Sequence, residues 1–360
     1  MEARVHLNGL NGLRAIAAVI VVLSHTSLWD SDPSHLFPAS LGEYAVTIFF
    51  TLSGFLITYL LLSEKKKGGI NVKKFYIRRM LRIWPLYFAY LLATIVIIYS
   101  ADLASIWGPL PWYLFFAANI PSVLNSPIYY LAHYWTLGTE EQFYIFWPWI
   151  IKSARNTLRA LVIFTLSFFA LKLFFRFIYF EWNNIVPLHI LSIFRFECMS
   201  MGGIAAALCI QGNKRFMKIA THPVTGIVCW LALGAILINK FFITHLINQD
   251  IAALVTVGLI MNLSFSKRPA IDLENRFFDL LGKLSYGMYI IHPMVIFFFR
   301  PFVQQLKTSD LIKNIIVYTG TIMITIAVAW LSYVFFEKRF LKLKGRFSTV
   351  KSQDSKYSPL

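Results

Sequence analysis

Long apolar blocks alternate with short polar or basic loops along this 360-residue chain. The block from Ile315 to Phe336 is long enough to cross a hydrocarbon core as one helix, which takes roughly 20 residues. Several shorter apolar runs reach that length with their uncharged flanks. Strand-like alternation of the β-barrel type is absent from the sequence. The pattern therefore predicts an all-α, polytopic membrane helix bundle.

Ten transmembrane helices follow when each apolar run is taken as one span and each basic loop as cytoplasmic. They are predicted near residues 9–28, 43–63, 82–101, 133–151, 160–180, 195–211, 222–239, 247–265, 282–300 and 311–336. We expect the segment 102–132 to be re-entrant or interfacial, because it has no Lys or Arg and its apolar stretch is too short to span. Residues 1–340 form one predicted transmembrane domain. Residues 341–360 form a basic, polar cytoplasmic tail that we expect to be disordered.

The distribution of positive charge fixes the predicted orientation. A net charge of +17 would suit a nucleic-acid partner, but the basic residues cluster between apolar runs. Cytoplasmic segments of the ten-helix arrangement hold 25 of the 34 Lys and Arg, and the outer loops hold three. Because short basic loops stay in the cytoplasm, both termini are predicted to be cytoplasmic. The predicted partner is the lipid bilayer, and no nucleic acid is expected.

Composition excludes a water-soluble protein. The chain is 58% hydrophobic and 14% charged, and its 17% aromatic share would leave large apolar patches on a soluble surface. The three cysteines lie in apolar segments without C-x-x-C spacing, so neither a disulfide framework nor a metal site is predicted. The sequence also lacks the Gly-rich phosphate loop, H-E-x-x-H and G-x-S-x-G motifs.

Ionisable residues inside membrane spans are costly and therefore mark candidate functional sites. Arg14 and His25 stand eleven residues apart in the first span, about 20° from eclipsed and about 16 Å apart along the helix. They share one face, which indicates a polar stripe through the membrane. For His25 alone, a hydrogen bond to a neighbouring helix is an equally good explanation.

Three arginines, Arg78, Arg79 and Arg82, stand at the inner mouth of the third span. Residues three or four apart are neighbours on a helix, and adjacent guanidinium groups suit phosphate oxygens. These arginines are candidates for binding a phosphate-bearing ligand. On charge alone, a role as cytoplasmic topology anchors is favoured.

The fourth span places Glu140 and Glu141 side by side about two turns into an otherwise apolar helix, which favours an interior position for both. Glu140 is a candidate for orienting or charge-stabilising an imidazole, and a structural ion pair with Arg14 or Arg195 is the alternative. Glu141 is a candidate substrate contact.

Other polar residues in the later spans are also candidate substrate contacts. Arg195 begins the sixth span, where snorkelling to the interface is the alternative role. In the ninth span, Tyr289 and His292 share a helical face with Ser285, and hydrogen bonds to adjacent helices explain them equally well.

Five motifs in order give the chain a resemblance to the membrane acyltransferase family 3, whose members transfer acyl groups to glycans and other hydroxyl compounds. They are Gly12-Leu13-Arg14 with His25, Phe49-Phe50-Thr51-Leu52-Ser53-Gly54-Phe55-Leu56, Arg79-x-x-Arg82, Trp135-Thr136-Leu137 with Glu140-Glu141-Gln142-Phe143-Tyr144, and Leu284-Ser285-Tyr286-Gly287-x-Tyr289 with His292-Pro293. They cover residues from about 9 to 295. Some family members carry a fused extracytoplasmic esterase-like domain, and the short tail here leads us to expect none.

The resemblance implies a mechanism. The phosphates of an acyl-CoA donor, expected to be acetyl-CoA, would bind Arg79 and Arg82 from the cytoplasm, and its arm would follow the stripe from Arg14 to His25. His25 would act as general base on an acceptor hydroxyl, with Glu140 holding its orientation. Direct transfer and a covalent acyl relay are both open. No permanently bound cofactor is expected.

The sequence thus predicts an integral-membrane O-acyltransferase, acting on a cell-surface or secreted carbohydrate and placed in the bacterial cytoplasmic (inner) membrane as a multi-pass protein. A membrane transporter is the competing hypothesis, since the same His, Arg and Glu side chains would serve a proton or substrate pathway. Inverted repeats that would support it are absent from the sequence. A structural or sensor protein is the weakest hypothesis.

Overall fold

The computed structural model describes residues 7–28, 38–102, 106–182, 186–238 and 240–347. Within these ranges the regular structure is helical, without a β-strand. The α-helices are α1 Leu10–Leu28, α2 Ala39–Lys66, α3 Val72–Ser100, α4 Leu110–Leu114, α5 Asn119–Val123, α6 Trp135–Ser153, α7 Thr157–Trp182, α8 Val186–Phe194, α9 Phe196–Ile210, α10 Lys214–Ala220, α11 Pro223–Leu237, α12 His245–Phe265, α13 Arg276–Gln304, α14 Asp310–Ser332 and α15 Lys338–Lys344. The predicted all-α class is confirmed.

Seven of the described helices are long and apolar enough to cross a membrane. They cover Leu10–Leu28, Ser40–Lys66, Val72–Ser100, Thr157–Ile178, Ile247–Phe265, Arg276–Gln304 and Asp310–Phe347. An eighth is counted if α10 and α11, which meet at a 57° bend, form one span. The number of ten spans and the cytoplasmic position of both termini stay predictions.

Two predicted spans correspond to helices with weaker membrane character. Helix α6 carries Glu140, Glu141 and Gln142, which lower its apolarity, and α9 has 15 residues, fewer than a helix needs to cross the core. Helices therefore occur at all ten predicted places. The structure differs from the prediction in which of these helices are apolar and long enough to span a membrane.

The chain divides into two compact units. Unit 1 comprises Met1–Ile48, Lys73–Ala93 and Ile271–Leu360, and unit 2 comprises Phe49–Val72 and Thr94–Ala270. In unit 1, α13 packs against α1 and α14. The α1–α13 approach is close because Gly282 has no side chain, and a Cβ there would collide with the main chain of Asn11.

Backbone contact also organises unit 2, where the second predicted motif lies. A Cβ on Gly54 of α2 would collide with the carbonyl of Met199 in α9, and a Cβ on Gly202 of α9 would collide with the carbonyl of Thr51. Each helix thus supplies a glycine at the place where the other's backbone passes. The small residues in this motif serve helix packing, which in a membrane depends on such close approach.

The segment between the third and fourth predicted spans contains α4, α5 and a 3-10 helix, Tyr129–Tyr134, all too short to span. The buried hydroxyl of Tyr113 accepts a hydrogen bond from the amide of Ile128 at 3.0 Å and so ties the segment's two ends together. Burial raises the pKa of Tyr113 to about 12. The described part of the segment therefore has its own fold.

The predicted disorder of residues 341–360 is wrong for the residues described there. A π-helix, Tyr333–Glu337, follows α14, and helical structure continues through α15 and a 3-10 turn, Gly345–Phe347. The carbonyl of Phe347 accepts a hydrogen bond from Arg78, which accounts for order at this end. Residues 348–360 lie outside the described residues.

We expect Gly54→Ala to lower the stability of unit 2 by about 1–3 kcal/mol, because the new methyl group must displace the backbone of α9. Gly234→Ala is the matched control, since a Cβ at this helical glycine meets open space. Thermal unfolding in detergent, followed by Trp fluorescence, measures both. Equal melting temperatures for the two variants would contradict the packing argument.

Candidate functional site

A basic pocket in unit 1 lies between α1, α3, α13 and the π-helix that follows α14. Its polar lining is Asn11, Arg14, Arg82, Lys283, Tyr286, Tyr333 and Glu337. Its three cationic side chains exceed the two carboxylates around them, Glu337 in the lining and Asp279 beside Lys283, so the pocket carries an excess of positive charge. Such a pocket is suited to an anionic ligand.

Hydrogen bonds to neighbouring side chains orient part of this pocket. Asp279 accepts a hydrogen bond from the Asn11 amide at 2.8 Å and forms an ion pair with Lys283 at 2.9 Å. The Asn11 oxygen in turn accepts from the Arg14 guanidinium at 3.4 Å. Asp279 thereby neutralises Lys283 and, through Asn11, helps to hold Arg14 at the pocket.

The three arginines predicted to bind phosphate lie in different surroundings. Arg82 lines the pocket together with Glu337, the carboxylate with which it interacts electrostatically. Arg78 is buried and donates to the carbonyl of Phe347 at 2.9 Å. Arg79 lies over the ring of Phe75, 5.8 Å from its centroid. The geometry therefore favours Arg82 as the ligand-facing guanidinium, and phosphate contacts for all three stay predictions.

The other end of α1 carries a histidine pair. His25 Nδ1 lies 2.6 Å from His292 Nε2, and the two ring centroids are 4.8 Å apart. His292 has 0% exposure, and its Nδ1 lies 3.2 Å from the carbonyl oxygen of Met288. The ring of Tyr289 is 5.9 Å from that of His292. The structure thus brings together three of the predicted site residues, His25, Tyr289 and His292.

In unit 2, Glu140 is the end of a short hydrogen-bond chain. The hydroxyl of Tyr144 donates to the Glu140 carboxylate, and its oxygen lies 2.5 Å from the Ser53 hydroxyl. Because Tyr144 donates to the carboxylate, Ser53 donates to Tyr144. Two of the sequence motifs therefore meet at Tyr144. The predicted action of Glu140 on His25 stays a prediction.

Arg195 occupies a strained position beside the fourth-span motif. It precedes α9 with left-handed backbone angles, φ 42° and ψ 33°, which are uncommon for a residue with a side chain. Its Nε donates to the carbonyl of Ser192 at 2.5 Å, and its guanidinium lies 5.4 Å from the centroid of the Trp135 ring. The side chain is buried rather than snorkelling. The predicted contacts of Arg195 and Glu141 with a substrate stay predictions.

A buried ion network in unit 2 was not predicted from the sequence. The Lys172 ammonium lies 2.7 Å from Glu197 and 2.8 Å from Asp250. Ligand atoms of Glu197, Cys198 and Asp250 lie within 4.8 Å of one another, as a cation would require. Lys172 already contacts both carboxylates, so a metal ion would have to displace it. The only sequence signal was the presence of charged residues on three separate apolar helices.

Glu337 is a second residue that the sequence analysis missed. It is buried at the end of the π-helix, accepts a hydrogen bond from Ser332 at 3.1 Å and lines the basic pocket. In the sequence it stands at the junction of the last apolar run and the basic tail. The signal for it is an isolated acidic residue between an apolar and a basic segment.

Comparison with known proteins identifies the family. A family model for an acyltransferase domain, Acyl_transf_3, matches residues 7–334. The chain belongs to this acyltransferase family. The resemblance inferred from the five sequence motifs is confirmed.

Curated relatives with similar sequences include the O-acetyltransferase OatA of Staphylococcus aureus. The proteins of strains NCTC 8325 / PS 47 and COL are both 26% identical to this chain over 364 residues. The alignments cover 92% of this chain and 57% of each relative, so the chain spans less than two thirds of their length. No solved structure matches the chain significantly.

We expect Lys172→Met to destabilise unit 2 by about 3–5 kcal/mol, because two buried carboxylates lose their shared cation. Lys313→Met is the control, since Lys313 pairs with an exposed Asp310 at 3.7 Å and such surface pairs contribute little. Thermal unfolding in detergent measures both changes. A Lys172 variant as stable as the control would show that the network does not hold these helices together.

Proposed function

We propose that this chain is an integral-membrane O-acyltransferase that moves an acetyl or short acyl group from acyl-CoA to a hydroxyl of a cell-surface or secreted glycan. The family match and the O-acetyltransferase relatives support the reaction class. The observation that carries the proposal is the arrangement along α1. A basic pocket lined by Arg14 and Arg82 lies at one end, and a histidine that can act as a base lies toward the other.

The proposed topology follows the sequence analysis. With ten spans and both termini in the cytoplasm, the first turns of α3, which contain Arg78, Arg79 and Arg82, would lie on the cytoplasmic side, where acyl-CoA is available. The membrane is proposed to be the bacterial inner membrane. The acceptor hydroxyl would then meet the base in the outer half of the bilayer.

Donor binding is proposed to rest on charge. Acyl-CoA presents several phosphate oxygens, and guanidinium groups hold such oxygens bidentately. Arg82 lines the pocket together with Arg14 and Lys283. Arg79 and Arg78 add positive potential at the same inner mouth. Acyl-CoA is thus a substrate, and no resident cofactor is proposed.

His25 is proposed to remove the proton from the acceptor hydroxyl. The hydroxyl oxygen attacks the thioester carbonyl carbon, the carbon–sulfur bond breaks, and the CoA thiolate leaves and takes up a proton. An acyl ester and free CoA are the products. The same base serves either a direct transfer or the first step of a covalent relay.

Residues of unit 2 are proposed to serve the acceptor and the charge balance. Arg195 and Glu141 are proposed to offer polar groups for the acceptor hydroxyls. Tyr289 and His292 of unit 1 are proposed acceptor contacts as well. Glu140, oriented by Tyr144, is proposed to stabilise the positive charge that His25 gains.

The wild-type protein should release CoA from acetyl-CoA only when glycan from the parent cells is added. His25→Ala should lower kcat by about 100-fold or more, since general bases contribute that much or more, while the folded yield is kept. Coupled thiol detection measures CoA release, and mass spectrometry of surface glycans from cells with and without the gene detects one added acyl unit. Full activity of the His25 variant would show that His25 is not the base.

Substrate uptake by proteoliposomes without any CoA compound would favour the transporter instead.

Arg82→Ala should raise the KM for acetyl-CoA by about 10-fold or more and leave kcat nearly unchanged, because it removes charged hydrogen bonds to the donor. Arg215→Ala is the control, since Arg215 is an exposed arginine of α10 in unit 2. Initial rates at varied acetyl-CoA concentration give both constants. An unchanged KM for Arg82→Ala would reduce this arginine to a topology anchor.

A further inference from the structure

The histidine pair restricts where its protons lie. A carbonyl oxygen only accepts hydrogen bonds, so His292 Nδ1, 3.2 Å from the Met288 carbonyl, carries the hydrogen. A neutral imidazole has one N–H, so Nε2 of His292 presents its lone pair. That lone pair faces His25 Nδ1 at 2.6 Å, and His25 Nδ1 must therefore be the donor. The lone pair of His25 is left on Nε2.

We propose that His292 is a positioning residue that holds His25 in the Nδ1–H tautomer, with Nε2 as the atom that accepts the hydroxyl proton. This inference rests on the function proposed above. Its basis is the continuous chain from the Met288 carbonyl through His292 to His25, all within unit 1. Because both ring nitrogens of His292 are then engaged within unit 1, this role replaces a polar contact of its ring with the substrate.

The alternative proton arrangements are less favourable. If His292 carried its hydrogen on Nε2, its Nδ1 lone pair would face the Met288 carbonyl oxygen, and two acceptors would repel each other. If His292 were an imidazolium, a charge would be buried in a side chain with 0% exposure. The neutral Nδ1–H form satisfies both of its ring nitrogens.

Contacts within helix α13 orient the His292 ring. Pro293 follows it and lacks an amide hydrogen, which leaves the Tyr289 carbonyl without its helical donor and loosens the helix at this turn. The buried ring of His292 lies over the preceding turn and donates to the Met288 carbonyl there. Gly42 of α2 also lies beside His25, since a Cβ added there would be in ordinary van der Waals contact with His25 Cδ2 at 3.8 Å.

The hydrogen bond gains strength during the proposed reaction. When His25 Nε2 takes the hydroxyl proton, the ring becomes an imidazolium and its Nδ1–H becomes a charge-assisted donor to neutral His292. When Nε2 returns that proton to the departing CoA thiolate, the ring is neutral again. An interaction that is stronger in the charged state than in the ground state lowers the barrier. His292 thus supplies what a carboxylate supplies in hydrolytic triads, without a buried negative charge.

Nitrogen-15 NMR of histidine-labelled protein in nanodiscs tests the tautomer without any turnover. The His25 signals, assigned by their loss in His25→Ala, should show a protonated Nδ1 and an unprotonated Nε2 at neutral pH. His292→Leu should abolish this preference, and Met288→Leu, which keeps the carbonyl, should preserve it. A protonated Nε2 in the wild-type protein, or an unchanged tautomer in His292→Leu, would overturn the proposal.

Kinetics separate positioning from structure. His292→Asn keeps a donor near the Nδ1 position but cannot accept from His25, and kcat should fall by about 10- to 100-fold with an unchanged KM for acetyl-CoA. His292→Gln can place an oxygen near the Nε2 position, and it should restore kcat to within about fivefold of wild type, while Met294→Leu, on the same helix but outside this chain, should match wild type. Equal loss in the Asn and Gln variants would contradict positioning. Absence of acyl transfer by the wild type would refute the proposed function. The NMR measurement would still test the His25 tautomer, because it needs no turnover.

Discussion

The close pairing of α1 with α13 is the interaction on which the candidate site depends. At one end, Gly282 lets α13 meet the main chain of Asn11, and the Gly9 amide donates to Glu274 at 2.6 Å. Toward the other end, the same two helices bring His25 and His292 into hydrogen-bond contact. Arg14 lies between, about 16 Å along the helix from His25. One helix pair therefore sets the relative positions of the basic pocket and the base.

The cost of charge in an apolar setting explains why the two units treat their ionisable residues differently. In unit 2, Lys172 is held between two carboxylates, and breaking that network should cost stability. In unit 1, Arg14, Arg82 and Lys283 line a pocket to which Glu337 contributes the lining carboxylate. Cations in excess of the carboxylates around them are better explained by a ligand than by folding. This contrast separates groups that stabilise the protein from groups available to a substrate.

The sequence predicted the helices well because hydrophobic length is a local property. It also predicted that Tyr289 and His292 share a face, since that needs only helical spacing. The contact between His25 and His292 joins residues 267 positions apart, and no local pattern encodes it. The same limit hid the three-helix network around Lys172.

Local spacing also failed to distinguish the three arginines of α3. Arg78, Arg79 and Arg82 look alike as a cluster, but only the packing of distant segments shows that the tail carbonyl of Phe347 takes up Arg78 while Arg82 faces the pocket. The predicted disorder was wrong at residues 341–347 for a related reason. Their basic, polar composition does not indicate that these residues are helical and that the Phe347 carbonyl contacts Arg78 of α3.

A structure of the protein with CoA bound tests the account most directly, because it locates both ends of the donor at once. The account predicts phosphates within hydrogen-bond distance of Arg82 and the pantetheine thiol directed along α1 toward His25 Nε2. CoA bound elsewhere, or with its thiol directed away from the histidine pair, would contradict it.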